Sequence, residues 1–255
     1  MSYKDPIGDR IKKYESAASS VMIDGTPKII RLDGKAFHTW VKKAGMNKPF
    51  DIYMMGFMVA GAKGLMEEIG GNARFAYIQS DECTVVMNDK LQLNSQPWFG
   101  NKVQKITSVA SSVYTAHFNQ QANDKPLAYF DARVFEVPSI VEMRNTVLWR
   151  QFDAQKNSVS MYAQSMFSHK ELQGKNTGEM KEMMKIIKDF DWGEANPWTQ
   201  RGVLVYRVKV PKTLDSGEVI ERSELFADFN IPCFKETPDY LKNLYIAEEL
   251  VPISQ

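Results

Sequence analysis

The chain has 255 residues, 44% of them hydrophobic and 25% charged, a core-forming composition that excludes a disordered polymer and leaves room for one or two domains. Lys and Arg total 32 against 31 Asp and Glu, so bulk charge selects no nucleic acid and any such partner must be held by a local basic face. Cys83 and Cys233 are too few for a disulfide framework or a structural zinc cluster, which suits a reducing compartment.

The opening MSYKDPIGDRIKKYE is charged and lacks the apolar core of a secretion signal, and no later run reaches membrane-spanning length. A cytoplasmic protein with no membrane partner is expected. Residues 6–17 read as a short helix. The turn Asp24-Gly25-Thr26-Pro27 then leads into the apolar run Ile29-Ile30-Arg31-Leu32, a buried strand. Met54, Phe57, Met58, Gly61, Leu65 and Ile69 recur at helical spacing until Gly70-Gly71 stops them. Residues 75–78 and 83–87 are strand-like and flank Gln79-Ser80-Asp81-Glu82, so a tight strand-turn-strand is expected with the acidic pair at its tip. Val103, Ile106, Ala110, Val113 and His117 give another helix, and residues 127–137 a strand closed by Pro138.

The order is βαββαβ, the ferredoxin-like arrangement of a polymerase palm, an antiparallel sheet with helices on one face and the other free for ligands. The fold class is therefore α+β. Residues 140–167 lack Gly and Pro and predict one long helix or two joined ones, and another follows near 178–190. Residues 202–210 and 217–229 flank the turn Asp215-Ser216-Gly217 and predict an appended C-terminal β-hairpin. Residues 1–138 are expected to form the palm-like catalytic region, and 139–255 the helical region and hairpin, packed with it as one continuous domain.

Asp33-Gly34 ends the first strand, where a glycine lets the backbone approach a ligand and frees amides for phosphate oxygens. Asp81 lies at the tip between the second and third strands, so the two carboxylates can converge. Two carboxylates at one site repel, and Mg²⁺ with a triphosphate relieves this. Asp, Gly and Ser also dominate ordinary turns, and on spacing alone that simpler reading stays open. Lys35, Lys48 and Arg133 are among the basic residues available for phosphate, though single basic residues are commonly just solvated. No Gly-x4-Gly-Lys-Ser/Thr loop, His-Glu-x-x-His or Gly-x-Ser-x-Gly element is present.

The ordered set Arg31-Leu32-Asp33-Gly34-Lys35-Ala36-Phe37-His38, Lys48-Pro49-Phe50-Asp51 and Gln79-Ser80-Asp81-Glu82 resembles the tRNA-His guanylyltransferase family, including its bacterial, archaeal and phage-like members. The likeness continues through Phe130-Asp131-Ala132-Arg133-Val134, Trp149-Arg150-Gln151-Phe152-Asp153-Ala154, Asn157-Ser158 and Phe167-Ser168-His169-Lys170-Glu171-Leu172. The resemblance implies a 3′-to-5′ nucleotidyltransferase that uses two Mg²⁺ ions, ATP and GTP, and the 5′ end of a tRNA, assembled as a homotetramer. It implies Asp33, Asp81 and the Gly34 carbonyl as metal ligands, and Glu82 beside them among the catalytic residues. Asp33, Gly34, Lys35, Ala36, Phe37 and His38 with Ser80 and Asp81 would surround the triphosphate, and Lys48 and Asp51 would lie near the nucleotide. Arg150 and Asn157, on one helical face, and His169 and Lys170 would meet RNA.

Eukaryotic members that add an untemplated guanylate carry a His-Ile-Asn motif where this chain has Asp153-Ala154-Gln155-Lys156-Asn157-Ser158. The absent histidine resembles the guanylyltransferase-like proteins and favours templated repair of tRNA 5′ ends. Untemplated guanylate addition, a nucleotidyl-cyclase-like palm and a non-catalytic tRNA-binding protein are the alternatives.

Overall fold

The computed structural model describes residues 6–90 and 95–247; residues 1–5, 91–94 and 248–255, parts of the two expected regions, lie outside the described residues. In chain order the elements are α1 (Pro6–Ala17), β1 (Lys28–Gly34), α2 (Phe37–Ala44), α3 (Ile52–Ile69), β2 (Ala73–Gln79), β3 (Glu82–Met87), α4 (Val103–Gln121) and β4 (Phe130–Glu136). There follow α5 (Ile140–Met166), α6 (His169–Leu172), α7 (Thr177–Lys188), α8 (Pro197–Arg201), β5 (Val203–Thr213), β6 (Val219–Asp228) and α9 (Tyr240–Ile246). Among the described residues no helix is long and apolar enough to cross a membrane.

The strands form one antiparallel sheet in the order β4-β1-β3-β2-β5-β6. The C-terminal hairpin is thus part of the sheet, with β5 paired to β2 from Phe75↔Tyr206 to Ile78↔Val203. On one face α3 and α4 pack against Leu32, Ile78 and Val85 through Met58, Leu65, Tyr114 and Phe118. The two helices approach closely because Gly61 lies against the Tyr114 ring, whose hydroxyl donates to the Met58 carbonyl at 2.9 Å.

The opposite face is not free, contrary to the expectation from element order. Met143 and Val147 of α5 and Leu241 and Leu244 of α9 cover it, packed on Ile29, Phe75, Tyr77 and Val86. The cause is visible in β2. Phe75 and Tyr77 alternate with Ala76 and Ile78, so both sides of the strand are apolar and all four residues are fully buried. α5 is one unbroken helix, begun by the Ser139 cap on the Glu142 amide.

At the end of β1 remote from Asp33, Lys28 Nζ meets Asp89 Oδ2 at 2.8 Å with both side chains buried. Burial is the largest influence on the Asp89 carboxyl and pushes its pKa up. Hydrogen bonds from Lys28, Asn101 and the Gly25 amide, with the Lys28 charge, outweigh burial and hold it below the ordinary 3.8. A depressed native pKa contributes stability above the unfolded value that is lost as pH falls through the native one. Asp89→Ala should therefore cost about 3–5 kcal/mol at pH 7, because it strands the buried ammonium. In urea unfolding the gap to wild type should narrow as the pH is taken below 3.8.

Candidate active site

β2 and β3 are joined by the tight turn Ser80-Asp81, with Ser80 at φ 49°. The Ser80 hydroxyl donates to Asp81 Oδ1 at 3.1 Å, and the Gly34 amide donates to the Asp81 carbonyl at 3.1 Å. Asp33 stands directly opposite Glu82 in the β1–β3 ladder. The ends of β1 and of the β2–β3 turn thus meet, and Asp33 and Asp81 share one locality. Burial raises the Asp81 carboxyl pKa, its hydrogen bonds oppose this, and the negative charge of Asp33 adds to the rise.

Among the described residues no cationic side chain pairs with Asp33 or Asp81. Nor do three or more His, Cys, Asp or Glu side chains among them gather around one metal position. Two converging carboxylates form a hard-oxygen donor set. Such a set suits Mg²⁺, which is commonly held by one or two carboxylates while water and substrate phosphates fill the remaining positions.

Glu82 takes a different direction from its neighbours. Arg150 on α5 grips it with two hydrogen bonds, Nε to Oε1 at 2.6 Å and Nη2 to Oε2 at 2.7 Å, and Arg31 Nε lies 3.4 Å from Oε2. Burial pushes the Glu82 carboxyl pKa up against the opposing pull of both arginines, and Asp33 adds to the rise. Arg150 also donates to Asp153 Oδ2 at 2.9 Å, and Asn157 Nδ2 donates to the same oxygen at 3.2 Å. Two sequence-based expectations change here. Glu82 is held in a buried ion pair, and Arg150, only 6% exposed, is occupied by carboxylates and has no open surface for RNA. Asn157, His169 and Lys170 are exposed, the last two at the start of α6.

A cleft of about 480 Å³ opens beside the acidic turn, and Phe37, His38, Lys48, Asp51, Ser80 and Asp81 all reach its wall. Asp33, Gly34, Lys35 and Ala36 do not line it. A side chain at Gly34 would collide with the Phe37 ring. The Gly34 and Lys35 amides are spent on the Asp81 and Tyr129 carbonyls, so they are not free for phosphate as the glycine had suggested. Ala36, at φ 52°, turns the chain into α2, whose start carries no side-chain cap.

Asp51 lines the cleft but also has a role in the fold. It caps α3, accepting from the Tyr53 and Met54 amides and from both nitrogens of Asn47. Burial alone would raise its carboxyl pKa, but these donors outweigh it and hold the value below the ordinary range. Its lone pairs are committed to the fold. Lys48, exposed before a cis peptide to Pro49, remains on the rim.

Little of the rest of the wall was marked as functional in the sequence. Val41 comes from α2, Phe50 from the segment before α3, Met54 and Met55 from α3, Met161, Gln164 and Ser165 from α5, and Trp198 from α8. Phe50 packs against Tyr162 at a tilt and edge-on to Trp198, at centroid distances of 5.1 and 5.8 Å. Phe50 did lie inside a recognised motif, whereas nothing local marks Trp198.

Removing one partner of the buried pair leaves the other charge without compensation. Arg150→Ala should cost about 3–5 kcal/mol. The double variant Arg150→Met with Glu82→Leu should recover most of that loss, measured as urea midpoints at constant slope.

A family profile described as tRNAHis guanylyltransferase matches residues 8–138. An uncharacterized protein of Acanthamoeba polyphaga mimivirus is 24% identical, over 89% of this chain and 84% of its own length. The probable tRNA(His) guanylyltransferase of Homo sapiens is 28% identical over 73% of this chain, which spans 66% of that protein. Among solved structures, a bacterial tRNA(His) guanylyltransferase-like protein in complex with ATP matches with a TM-score of 0.83 at 35% identity, covering 94% of this chain and 100% of its own. One in complex with GTP matches with a TM-score of 0.81 at 34% identity, covering 94% and 99%.

Proposed function

Because the chain belongs to the tRNA-His guanylyltransferase family of nucleotidyltransferases, we propose that it is a metal-dependent enzyme adding nucleotides in the 3′-to-5′ direction to tRNA 5′ ends, in templated repair. The observation that carries this reading is the proximity of Asp33 and Asp81, neither paired with a cation among the described residues, beside a cleft of about 480 Å³ that Asp81 lines. The order β4-β1-β3-β2 of the first four strands supports a ferredoxin-like palm, with residues 1–138 as its catalytic region and 139–255 packed onto it. A cytoplasmic homotetramer belongs to the same reading.

The carboxylates of Asp33 and Asp81 with the Gly34 carbonyl would hold two Mg²⁺ ions. When bound, the metal supplies charge neutralisation for the triphosphate and lowers the cost of ionising the attacking 3′-hydroxyl. Ser80 fixes the orientation of the Asp81 carboxylate through Oδ1. His38 and Lys48 offer positive or donor groups to phosphate at the cleft wall, assisted by the positive end of α2. Phe37, Val41, Phe50, Met54 and Trp198 give the base an apolar, water-poor seat.

The relatives in complex with ATP and GTP support triphosphates as ligands. The RNA 5′-phosphate is first activated by transfer of a nucleoside monophosphate from ATP or GTP, releasing pyrophosphate. The 3′-hydroxyl of the incoming triphosphate then attacks that 5′-phosphorus, and the activating monophosphate leaves. Alignment of two substrates and charge stabilisation supply most of the acceleration.

Templated repair is favoured over untemplated guanylate addition by the segment after Arg150. There Asp153 is tied to Arg150 and Asn157, and Ser158 accepts from Trp192 Nε1 at 3.0 Å, so the segment offers helix packing and no imidazole.

The test is incorporation of labelled nucleotide into 5′-truncated and full-length tRNA-His side by side. Wild type should prefer the truncated RNA and add the base dictated by the opposite strand. Asp81→Ala should lower incorporation by roughly 10³-fold or more with native circular dichroism. Near-normal incorporation by that variant would sink the site assignment, and a cyclic product made without RNA would redirect the reading to a cyclase.

A further inference from the structure

We propose that the indole of Trp149 is a stacking platform for the terminal base pair of the RNA acceptor stem, a site that deepens the nucleotidyltransferase reading and rests on it. Trp149 projects from α5 with 55% of its surface exposed, although the residues on either side of its helix are core-packed. Its ring is nonetheless held in place. The guanidinium carbon of Arg150 lies 4.5 Å from the ring centroid and that of Arg31 5.8 Å. Phe152, three residues on and 43% exposed, extends the same apolar surface.

The position of this surface sets its partner. Arg150, next in sequence, grips Glu82, and Glu82 follows Asp81 directly. Further along α5, Met161, Gln164 and Ser165 wall the nucleotide cleft. Twelve residues of helix between Trp149 and Met161 span about 18 Å. The acidic turn therefore borders the cleft on one side and the Trp149 surface on the other. A reaction joining a triphosphate to a polynucleotide end needs two such surfaces, and the cleft accounts for one.

The surface has the chemistry of a nucleic-acid end. Arg31 pairs across the sheet with Arg133, which is exposed and, among the described residues, paired with Asp131 at 3.4 Å, a surface ion pair that a phosphate readily replaces. A flat aromatic backed by guanidinium groups is how proteins receive splayed or terminal bases. A second copy of the chain fits less well. The apolar area is two rings set among Arg31, Arg133, Asp131 and Asp153, whereas the cores of protein interfaces are depleted of charge.

The test measures binding of fluorescent 5′-truncated tRNA by anisotropy, with Mg²⁺ and without triphosphate, for wild type, Trp149→Ala, Trp149→Phe and Arg133→Ala. Trp149→Ala should weaken RNA binding about tenfold, within the range contributed by one stacked base, with Trp149→Phe retaining most of the affinity. Arg133→Ala should reduce the slope of log affinity against log salt by about 0.7–0.9. The KM for the incoming triphosphate and the sedimentation coefficient should stay unchanged in Trp149→Ala. Unaltered RNA affinity in that variant overturns the proposal, and so does a loss that appears only with dissociation of subunits, which would assign the surface to a second copy. If wild type binds and extends the RNA while Trp149→Ala matches it, the platform alone fails. If wild type neither binds nor extends tRNA, the underlying reading fails with it.

Discussion

The architecture of the site depends on how two arginines are shared among three carboxylates. Asp33, Asp81 and Glu82 sit within one turn and its neighbouring strand end, and Arg31 and Arg150 both go to Glu82. Away from bulk water such a pair is strongly attractive and strongly desolvated, so it persists only with good geometry, here the two-pronged grip of a planar guanidinium. The outcome is an uneven distribution of charge. One acid is compensated and ties the long helix α5 to the sheet, while the other two keep their mutual repulsion.

That helix connects features that are far apart in sequence. α5 closes the second face of the sheet with Met143 and Val147, fixes the acidic turn through Arg150, and ends as a wall of the cleft with Met161 and Gln164. A single rigid element thus sets the spacing between the acidic turn and the far wall of the cleft. Constellations carried on helices and strands hold their geometry more tightly than those carried on loops.

Much of this was legible in the sequence, and the failures have specific causes. β1, the α3 periodicity ended by Gly70, and the strand-turn-strand around Asp81 follow from local patterns that tertiary packing left intact. The covered second face was misread from element order alone, although the two-sided apolar character of Ala73–Gln79 signalled burial on both sides. Asp51 was expected near the nucleotide because it lay in a recognised motif, yet an Asp immediately before an apolar helical run is also the ordinary sign of a cap. Arg150 was expected to meet RNA from its helical face, but periodicity does not say that a partner carboxylate waits opposite. α2 escaped notice because it is a single short helix entered through Ala36 at positive φ, a position where glycine is the usual mark. Trp198 joins the cleft only through packing against residues remote from it in the chain.

The central placement of β2 and β3 bears on motion as well as on packing. Every residue of both strands is buried, and each has a hydrogen-bonded strand on either side. Backbone amides in such strands exchange with solvent only through the largest openings of the molecule, whereas α1, with no buried residue, and the outer end of β6 open at little cost. The acidic turn is rooted in those slowest-opening strands. Fraying at the periphery, including whatever rearrangement accompanies the arrival of a large substrate, therefore leaves the spacing of Asp33 and Asp81 undisturbed, and the two carboxylates act as the fixed point around which the rest of the chain adjusts.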